Sequence, residues 1–233
     1  MLTIHTAELL ITGPTGSGTG TGTGTASGTG SGSGTAPLPR GAVLVEGDRI
    51  ARVGPYEELA AAYPHARARS WPGVLTPGLL VRGGDELLER TYYPDDPYEI
   101  TELGAEPISG TEALAALKMT EPRWGNSARR GTQKLLARGV VAVAGRFTSP
   151  AVRTAVVRSG LTVVPPAPYE GPASLNPLAG LTAAEEAFHG VLEPGAPARF
   201  AVFAVAGPAE LLVEGPTSCV ATVIGGRLLH RRR

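Results

Sequence analysis

Apolar positions along the chain predict strands at both ends and a mixed middle. Residues 2–12 read as one strand, and residues 41–54 read as two strands joined at the Gly47-Asp48 hairpin signal. Further strands are predicted toward the far end, at 199–205, 210–214, 218–224 and 227–230. Strand-rich ends therefore flank a region of different character.

The middle alternates helical and strand patterns. Helices are predicted at 55–63, 109–118, 127–138, 150–159 and 182–189. Strands are predicted at 66–71, 139–144 and 161–164, and Pro77-Gly78 marks a sharp turn. Helix, strand, helix, strand is the order typical of α/β units with parallel strands.

Two further segments have local expectations. In residues 182–189, Thr182 is placed to cap the helix with Glu185 three residues later. Residues 85–104 are acidic and aromatic and are expected to form a surface excursion.

A low-complexity tract covers residues 13–36, where 21 of 24 positions are Gly, Ser or Thr. Such a tract has few side chains that could offset the entropy of ordering its backbone, so it is expected to be a flexible loop. No Lys or helix start follows it as a phosphate-binding loop requires.

Composition and charge exclude several classes of partner. The 233 residues carry 21 Lys+Arg and 21 Asp+Glu, so neither nucleic acid nor a membrane surface is an expected partner. Cys219 is the single cysteine, which excludes an intramolecular disulfide. No secretory or membrane-spanning pattern is present, and a cytoplasmic protein is expected.

Several ordered stretches together resemble the amidohydrolase superfamily, nearest to its imidazolonepropionase and aminodeoxyfutalosine deaminase group. They are residues 41–54, 75–80, 190–203 and 223–229. The resemblance implies a composite β-sandwich built from both chain ends, with a metal-dependent barrel between them. We therefore predict an α+β fold in which residues 1–77 and 190–233 form the composite sandwich and residues 78–189 form a reduced α/β remnant of a TIM barrel.

The resemblance ends where the family binds its metal. Members of the family continue from Leu-x-Pro-Gly-Leu-Val into Asn-x-His-x-His, whereas Gly83 and Asp85 occupy the two His positions here. Residues 78–189 are also too few for an eight-stranded barrel, which takes about 250 residues. No catalytic, cofactor-binding or metal-binding residue is therefore predicted, and zinc or iron is expected only if the family activity is retained.

The remaining residues with chemical potential have unremarkable expected roles. The histidines are expected at surface or capping positions: His5, His65, His189 and His230. Cys219 is expected to be a buried thiol in a strand. Trp71 and Trp124 look isolated, and the basic end is expected to be a solubilising terminus: Arg227, His230, Arg231, Arg232 and Arg233.

Three functions follow from these observations. The first is a degenerate, non-catalytic relative that acts by binding a small molecule or a protein. The second is a hydrolase acting on non-peptide carbon-nitrogen bonds, of the deaminase or cyclic-amide type, with Mg²⁺ or Ca²⁺ held by carboxylates or with a site completed by another chain. The carboxylates considered are Asp85, Asp95, Asp96 and Glu99.

The third is an assembly module in menaquinone-type metabolism. The apolar, proline-rich segment 163–169 is the candidate contact surface for such a module, and a homo-oligomer is possible.

Overall fold

The computed structural model describes residues 2–14, 36–94, 96–166 and 173–232. The predicted flexible loop falls mainly on residues 15–35, which lie outside these ranges. The strands are β1 (Leu2–Thr6), β2 (Leu9–Leu10), β3 (Leu38–Pro39), β4 (Gly41–Glu46), β5 (Arg49–Pro55), β6 (Arg67–Ser70), β7 (Val74–Pro77), β8 (Leu79–Val81), β9 (Thr91–Tyr92), β10 (Ile108–Ser109), β11 (Val140–Ala144), β12 (Thr162–Val164), β13 (Arg199–Phe203), β14 (Cys219–Ile224) and β15 (Arg227–Arg231). The α-helices are α1 (Tyr56–Ala62), α2 (Gly84–Glu89), α3 (Pro97–Leu103), α4 (Thr111–Ala116), α5 (Glu121–Leu136), α6 (Pro150–Ser159) and α7 (Pro208–Glu214).

A β-sandwich is built from both ends of the chain. Its four-stranded sheet has the order β5-β4-β1-β6, and its six-stranded sheet has the order β15-β14-β13-β7-β2-β3. Val43 and Ile50 of the first sheet share one buried core with Phe200 and Val223 of the second. The predicted hairpin joins β4 to β5 through Gly47, whose φ of +61° favours glycine.

A three-stranded parallel sheet lies in the middle of the chain, with the order β12-β11-β8. All five residues of β11 are buried, as its continuous apolar run predicts. Ser149 caps α6 by accepting a hydrogen bond from the Val152 amide, and Gly160 ends that helix in the left-handed conformation. The predicted α+β fold, a composite sandwich with a reduced α/β segment, is confirmed.

Two predicted strands are wrong. Residues 2–12 are not one strand, since β1 belongs to the four-stranded sheet and β2 to the six-stranded sheet. Residues 210–214 are helical, because Pro208 stands in the first turn of α7 and the Glu210 carboxylate accepts a hydrogen bond from the Ala206 amide. Their aliphatic residues had masked the helix signal.

Two helices also differ from their predictions. The helix predicted at 127–138 begins at Glu121, because Thr120 caps it and Pro122 lies in its first turn. The segment 182–189 holds only a 3₁₀ helix, Ala184–Ala187. The predicted cap by Thr182 with Glu185 is wrong. The capping group is the Glu186 carboxylate, which accepts hydrogen bonds from the Thr182 hydroxyl and the Ala183 amide.

The predicted surface excursion at 85–104 is wrong for its first part, which packs against α5, and is confirmed for residues 96–104, which are mostly exposed. Tyr92 and Tyr93 are each only 1% exposed. The Tyr93 amide donates to the Ser127 hydroxyl, and the Tyr93 hydroxyl donates to the Leu87 carbonyl oxygen. The acidic residues give the segment a polar outer face, while Tyr92 and Tyr93 anchor it and Tyr98 remains exposed.

Candidate functional site

The position that the family resemblance assigns to the metal lies where β8 ends and α2 begins. Gly83 has φ of +67°, a conformation that side chains other than glycine rarely adopt, and a Cβ there would lie 3.1 Å from Cβ of Ala173. Asp85 stands in the first turn of α2. A glycine without a donor atom and a single carboxylate do not fit the divalent ion that a histidine pair holds.

The backbone next to this position is closely packed. A Cβ on Gly84 would lie 2.1 Å from Cγ2 of Val143 and 3.0 Å from the Ala144 carbonyl oxygen. Leu178 and Ala187 are buried in the same core as Val143. Apolar contacts thus occupy the surroundings of the C-terminal ends of β8 and β11.

The acidic residues of the predicted excursion have structural partners. The Tyr92 hydroxyl donates to the Glu99 carboxylate at 2.6 Å, and Arg123 Nη2 forms an ion pair with it at 2.9 Å. The hydrogen bond with Tyr92 and the nearby Glu99 charge raise the pKa of Arg123. Asp96 accepts a hydrogen bond from the Tyr98 amide as the cap of α3.

The described carboxylates of this segment do not assemble into a metal centre. Asp95 lies outside the described residues. Within the described ranges, no three His, Cys, Asp or Glu side chains come together as a group that could hold a metal ion.

The histidines have four separate environments. His5 is buried inside the sandwich, so the expected surface or capping role is wrong for it. His65 is exposed. His189 and His230 are partly buried, and burial lowers the pKa of each, with Arg199 and Arg232 respectively adding to the effect.

Cys219 is buried in β14, as the sequence predicts. Burial raises the pKa of its thiol to about 11, although the Thr222 hydroxyl, 3.5 Å away, opposes the shift. A thiol with this pKa is almost entirely protonated at neutral pH and is a poor nucleophile.

A groove with a volume of about 700 Å³ lies between α5 and α6. We call it the α5/α6 groove. Small residues line the place where the two helices meet, since a Cβ added to Gly125 would lie 3.4 Å from Cβ of Ala151. Leu136 and Leu229 are apolar residues of the lining, and the polar residues of the lining are Glu121, Asn126, Arg129, Thr132, Gln133, Thr154, Arg158 and Ser159.

This groove was not among the sites predicted from the sequence. The available signal was the set of small residues Gly125, Ala151 and Ala155, the last two spaced four apart, which permits close approach of two helices. Their register could not be seen before the start of α5 was known. The groove offers hydrogen-bond donors and acceptors beside apolar surface, a combination typical of small-molecule sites.

The segment 163–169 is described only in part. Val163 is 44% exposed and lies in β12, which pairs with β11 as one end of the parallel sheet. Pro165 and Pro166 are exposed, and residues 167–172 lie outside the described ranges. No helix among the described residues is both long and apolar enough to cross a membrane.

Comparison with known proteins supports the resemblance drawn from the sequence. Residues 41–66, which cover the β4–β5 hairpin and α1, match the family model of the imidazolonepropionase-like composite domain of bacteria. No curated protein matches the chain.

Solved structures match part of the chain. Aspergillus niger ochratoxinase matches with 20% identity and a TM-score of 0.42, covering 70% of this chain and 31% of its own. Helicobacter pylori aminofutalosine deaminase in complex with methylthio-coformycin matches with 16% identity and a TM-score of 0.39, covering 69% of this chain and 34% of its own. Escherichia coli guanine deaminase matches with 14% identity and a TM-score of 0.42, covering 70% of this chain and 35% of its own.

The chain thus spans about a third of the length of these structures. The family model and the local architecture agree at the hairpin and the helix that follows it. The predicted resemblance to the imidazolonepropionase-like composite domain is confirmed over residues 41–66.

Proposed function

We propose that this chain is an amidohydrolase-like binding protein that does not catalyse hydrolysis. The observation that carries the proposal is the local structure at the two positions where the family resemblance would require a metal-binding histidine pair, which are occupied by Gly83 and Asp85. The left-handed backbone at Gly83 opposes a side chain there, and the contact of the intervening Gly84 with Val143 leaves no room for one between the two positions. The local structure supports a role in which the scaffold is kept and the metal chemistry is not.

The α5/α6 groove is the proposed ligand site. Its volume of about 700 Å³ lies within the range of small-molecule pockets, about 300–1,000 Å³. Arg129 and Arg158 supply positive charge, Glu121 supplies one negative charge, and Asn126 and Gln133 supply both donors and acceptors. A planar heterocycle with a polar edge, such as an amino-purine or a cyclic amide, matches this lining.

Metal content and turnover test the absence of catalysis. The protein would be produced in medium supplemented with zinc and iron, and the bound metal would be measured after dialysis. We expect less than stoichiometric metal and no turnover of guanine, adenosine or hydantoin. Stoichiometric metal that survives dialysis, or turnover by pure protein, would overturn the proposal.

Ligand binding in the groove is tested separately. Ala155→Trp would fill the groove from α6, and Ala60→Trp, on the partly exposed surface of α1, is the matched control. Equilibrium dialysis against the same three compounds should show binding that is lost in Ala155→Trp and kept in the control. Equal binding by both variants would contradict this location.

The hydrolase alternative lacks comparable support. It requires carboxylates free to hold Mg²⁺ or Ca²⁺. Glu99 instead bonds to Tyr92 and Arg123, and Asp96 caps α3.

A further inference from the structure

Two edge strands of the sandwich bring arginine side chains toward one opening. Strand β6 is an edge of the four-stranded sheet, and β15 is an edge of the six-stranded sheet. In the parallel pairing of β6 with β1, Arg67 lies opposite Thr3 and Arg69 lies opposite His5. Residues paired in register project to the same face of a sheet, so both arginines share the face of His5.

This face is the inner face of the sandwich. The His5 ring lies edge-on to the ring of Phe200, which belongs to the opposite sheet, with 4.9 Å between the ring centroids. Arg67 and Arg69 therefore lie on the face of the edge strand that is turned toward the opposite sheet. Residues at such positions are usually apolar.

Arg231 approaches the same opening from β15. Its guanidinium carbon lies 5.9 Å from the centroid of the Trp71 ring, and Trp71 directly follows β6. The Trp71 ring in turn stacks near His5, with 6.2 Å between their centroids. Trp71 thus links the arginine of one edge strand to the arginines of the other.

The positive charge at this opening has no negative partner among the described residues. No described carboxylate lies within 4 Å of the guanidinium groups of Arg67, Arg69 or Arg231. Nε of Arg69 is buried and has no hydrogen-bond acceptor within the described ranges. A buried donor without an acceptor is costly and rare in folded proteins.

The electrostatic effects on neighbouring groups agree with this arrangement. Burial lowers the pKa of Arg69, and the charges of Arg67 and Arg231 lower it further. Burial, with a smaller contribution from Arg69, lowers the pKa of His5 to about 4. His5 is therefore neutral at pH 7, and the arginines account for the local charge.

We infer that the opening between β6 and β15 binds a phosphate group, with Arg69 as the central ligand and Arg67 and Arg231 beside it. Oxygens of the phosphate would accept hydrogen bonds from the guanidinium group of Arg69, whose Nε has no acceptor among the described residues. The planar guanidinium fork presents paired donors to such an oxyanion. Several guanidinium groups together match the multiple charge of phosphate better than the single charge of a carboxylate.

Fluorescence of Trp71 provides the test. Trp124→Phe removes the other tryptophan, so that emission reports on Trp71 alone, and this background is titrated with sodium phosphate against sodium chloride of equal ionic strength. We expect a saturable change with phosphate only. A parallel titration with glycerol 3-phosphate separates a site for free phosphate from one that also accepts phosphate monoesters; both results support a phosphate site.

Substitutions identify the ligands. Arg69→Gln should weaken binding at least about tenfold, and Arg69→Lys should weaken it less, because lysine keeps the charge but not the fork. The exposed Arg231→Gln should weaken it several-fold without affecting folding, and Arg153→Gln, exposed on α6, is the control. The proposal is overturned if phosphate acts no differently from chloride, or if Arg69→Gln and Arg231→Gln both bind as tightly as Arg153→Gln. Inward charges would then serve only to protect the sheet edges from pairing.

Discussion

Trp71 donates a hydrogen bond from its indole Nε1 to Nδ1 of His5 across 3.2 Å inside the β-sandwich. His5 is 2% exposed and Trp71 is 9% exposed. Because Nδ1 accepts this bond, the neutral imidazole carries its proton on Nε2. Protonation of Nδ1 would require the bond to break, so the contact and the burial both favour the neutral ring.

Stability should therefore depend on pH through His5. Its pKa is lowered from 6.5 in the unfolded chain to about 4 in the folded protein, so between these values the unfolded state binds a proton that the folded state does not. The free energy of unfolding is then unaffected by His5 above about pH 6.5 and falls as pH decreases toward 4, by up to about 3 kcal/mol. Urea unfolding at pH 4.5 and pH 7.5 measures this loss.

Two variants isolate the contribution of His5. His5→Phe should reduce the difference in unfolding free energy between the two pH values. His65→Gln, at an exposed histidine, should leave that difference as in the wild type. An equal pH dependence in His5→Phe and the wild type would contradict the assignment.

Gly84→Ala should destabilise the protein. The added Cβ would lie 2.1 Å from Cγ2 of Val143, so strand β11 or helix α2 must shift. Overpacking of this kind costs about 1–3 kcal/mol of unfolding free energy, measurable by urea denaturation. Gly54→Ala is the control, because no neighbouring atom lies within 4 Å of its added Cβ; equal stability of the two variants would show that the core at Gly84 yields readily.

Arg123→Gln should loosen the segment that packs against α5. Arg123 bonds to Glu99, to the Tyr92 hydroxyl and to the Leu117 carbonyl oxygen, and its side chain is 30% exposed. We expect a loss of about 1–2 kcal/mol and faster hydrogen exchange in α3 and α4, measured by mass spectrometry. Glu102→Gln, exposed on α3, should leave the exchange unchanged; the same exchange rates in both variants would argue against an anchoring role for Arg123.

Cys219 should resist alkylation in the folded protein. Its thiol is buried, so the reagent cannot reach it, and its pKa is raised to about 11, so little thiolate is present at pH 8. Iodoacetamide followed by mass spectrometry should show modification only when urea unfolds the chain. Rapid modification without urea would show that β14 opens readily or that the thiol is ionised.

Local signals in the chain predicted the elements whose determinants are close in sequence. The hairpin at 41–54 follows from Gly47-Asp48 between apolar runs, and α6 follows from Ser149, Pro150 and Gly160, which supply its cap, first turn and end. Elements with mixed signals were misjudged. The aliphatic residues of 210–214 resembled a strand, and the position of Tyr92 and Tyr93 in the core depended on α5, which is distant in sequence.

The candidate sites were less predictable than the fold. That Gly83 and Asp85 stand where the resemblance assigns a histidine pair can be read from the sequence alone, because donor atoms belong to residue types. The α5/α6 groove and the proximity of Arg69 to Arg231 cannot be read from the sequence. They bring together residues separated by tens to more than a hundred positions, and no local pattern records such distances.

Three properties can be read from the chain alone: the strand-rich ends, the helix and strand order of the middle, and the presence of Gly83 and Asp85 where the resemblance assigns a histidine pair. These properties depend on residue type and on spacing along the chain. Tertiary structure alone decided that His5 lies neutral in the core, that Gly84 is packed against Val143, and that arginines of two edge strands share one opening. The burial of a side chain, the shift of its pKa and the clustering of charges all depend on neighbours in space. Those neighbours are determined only when the two sheets and the helices pack together.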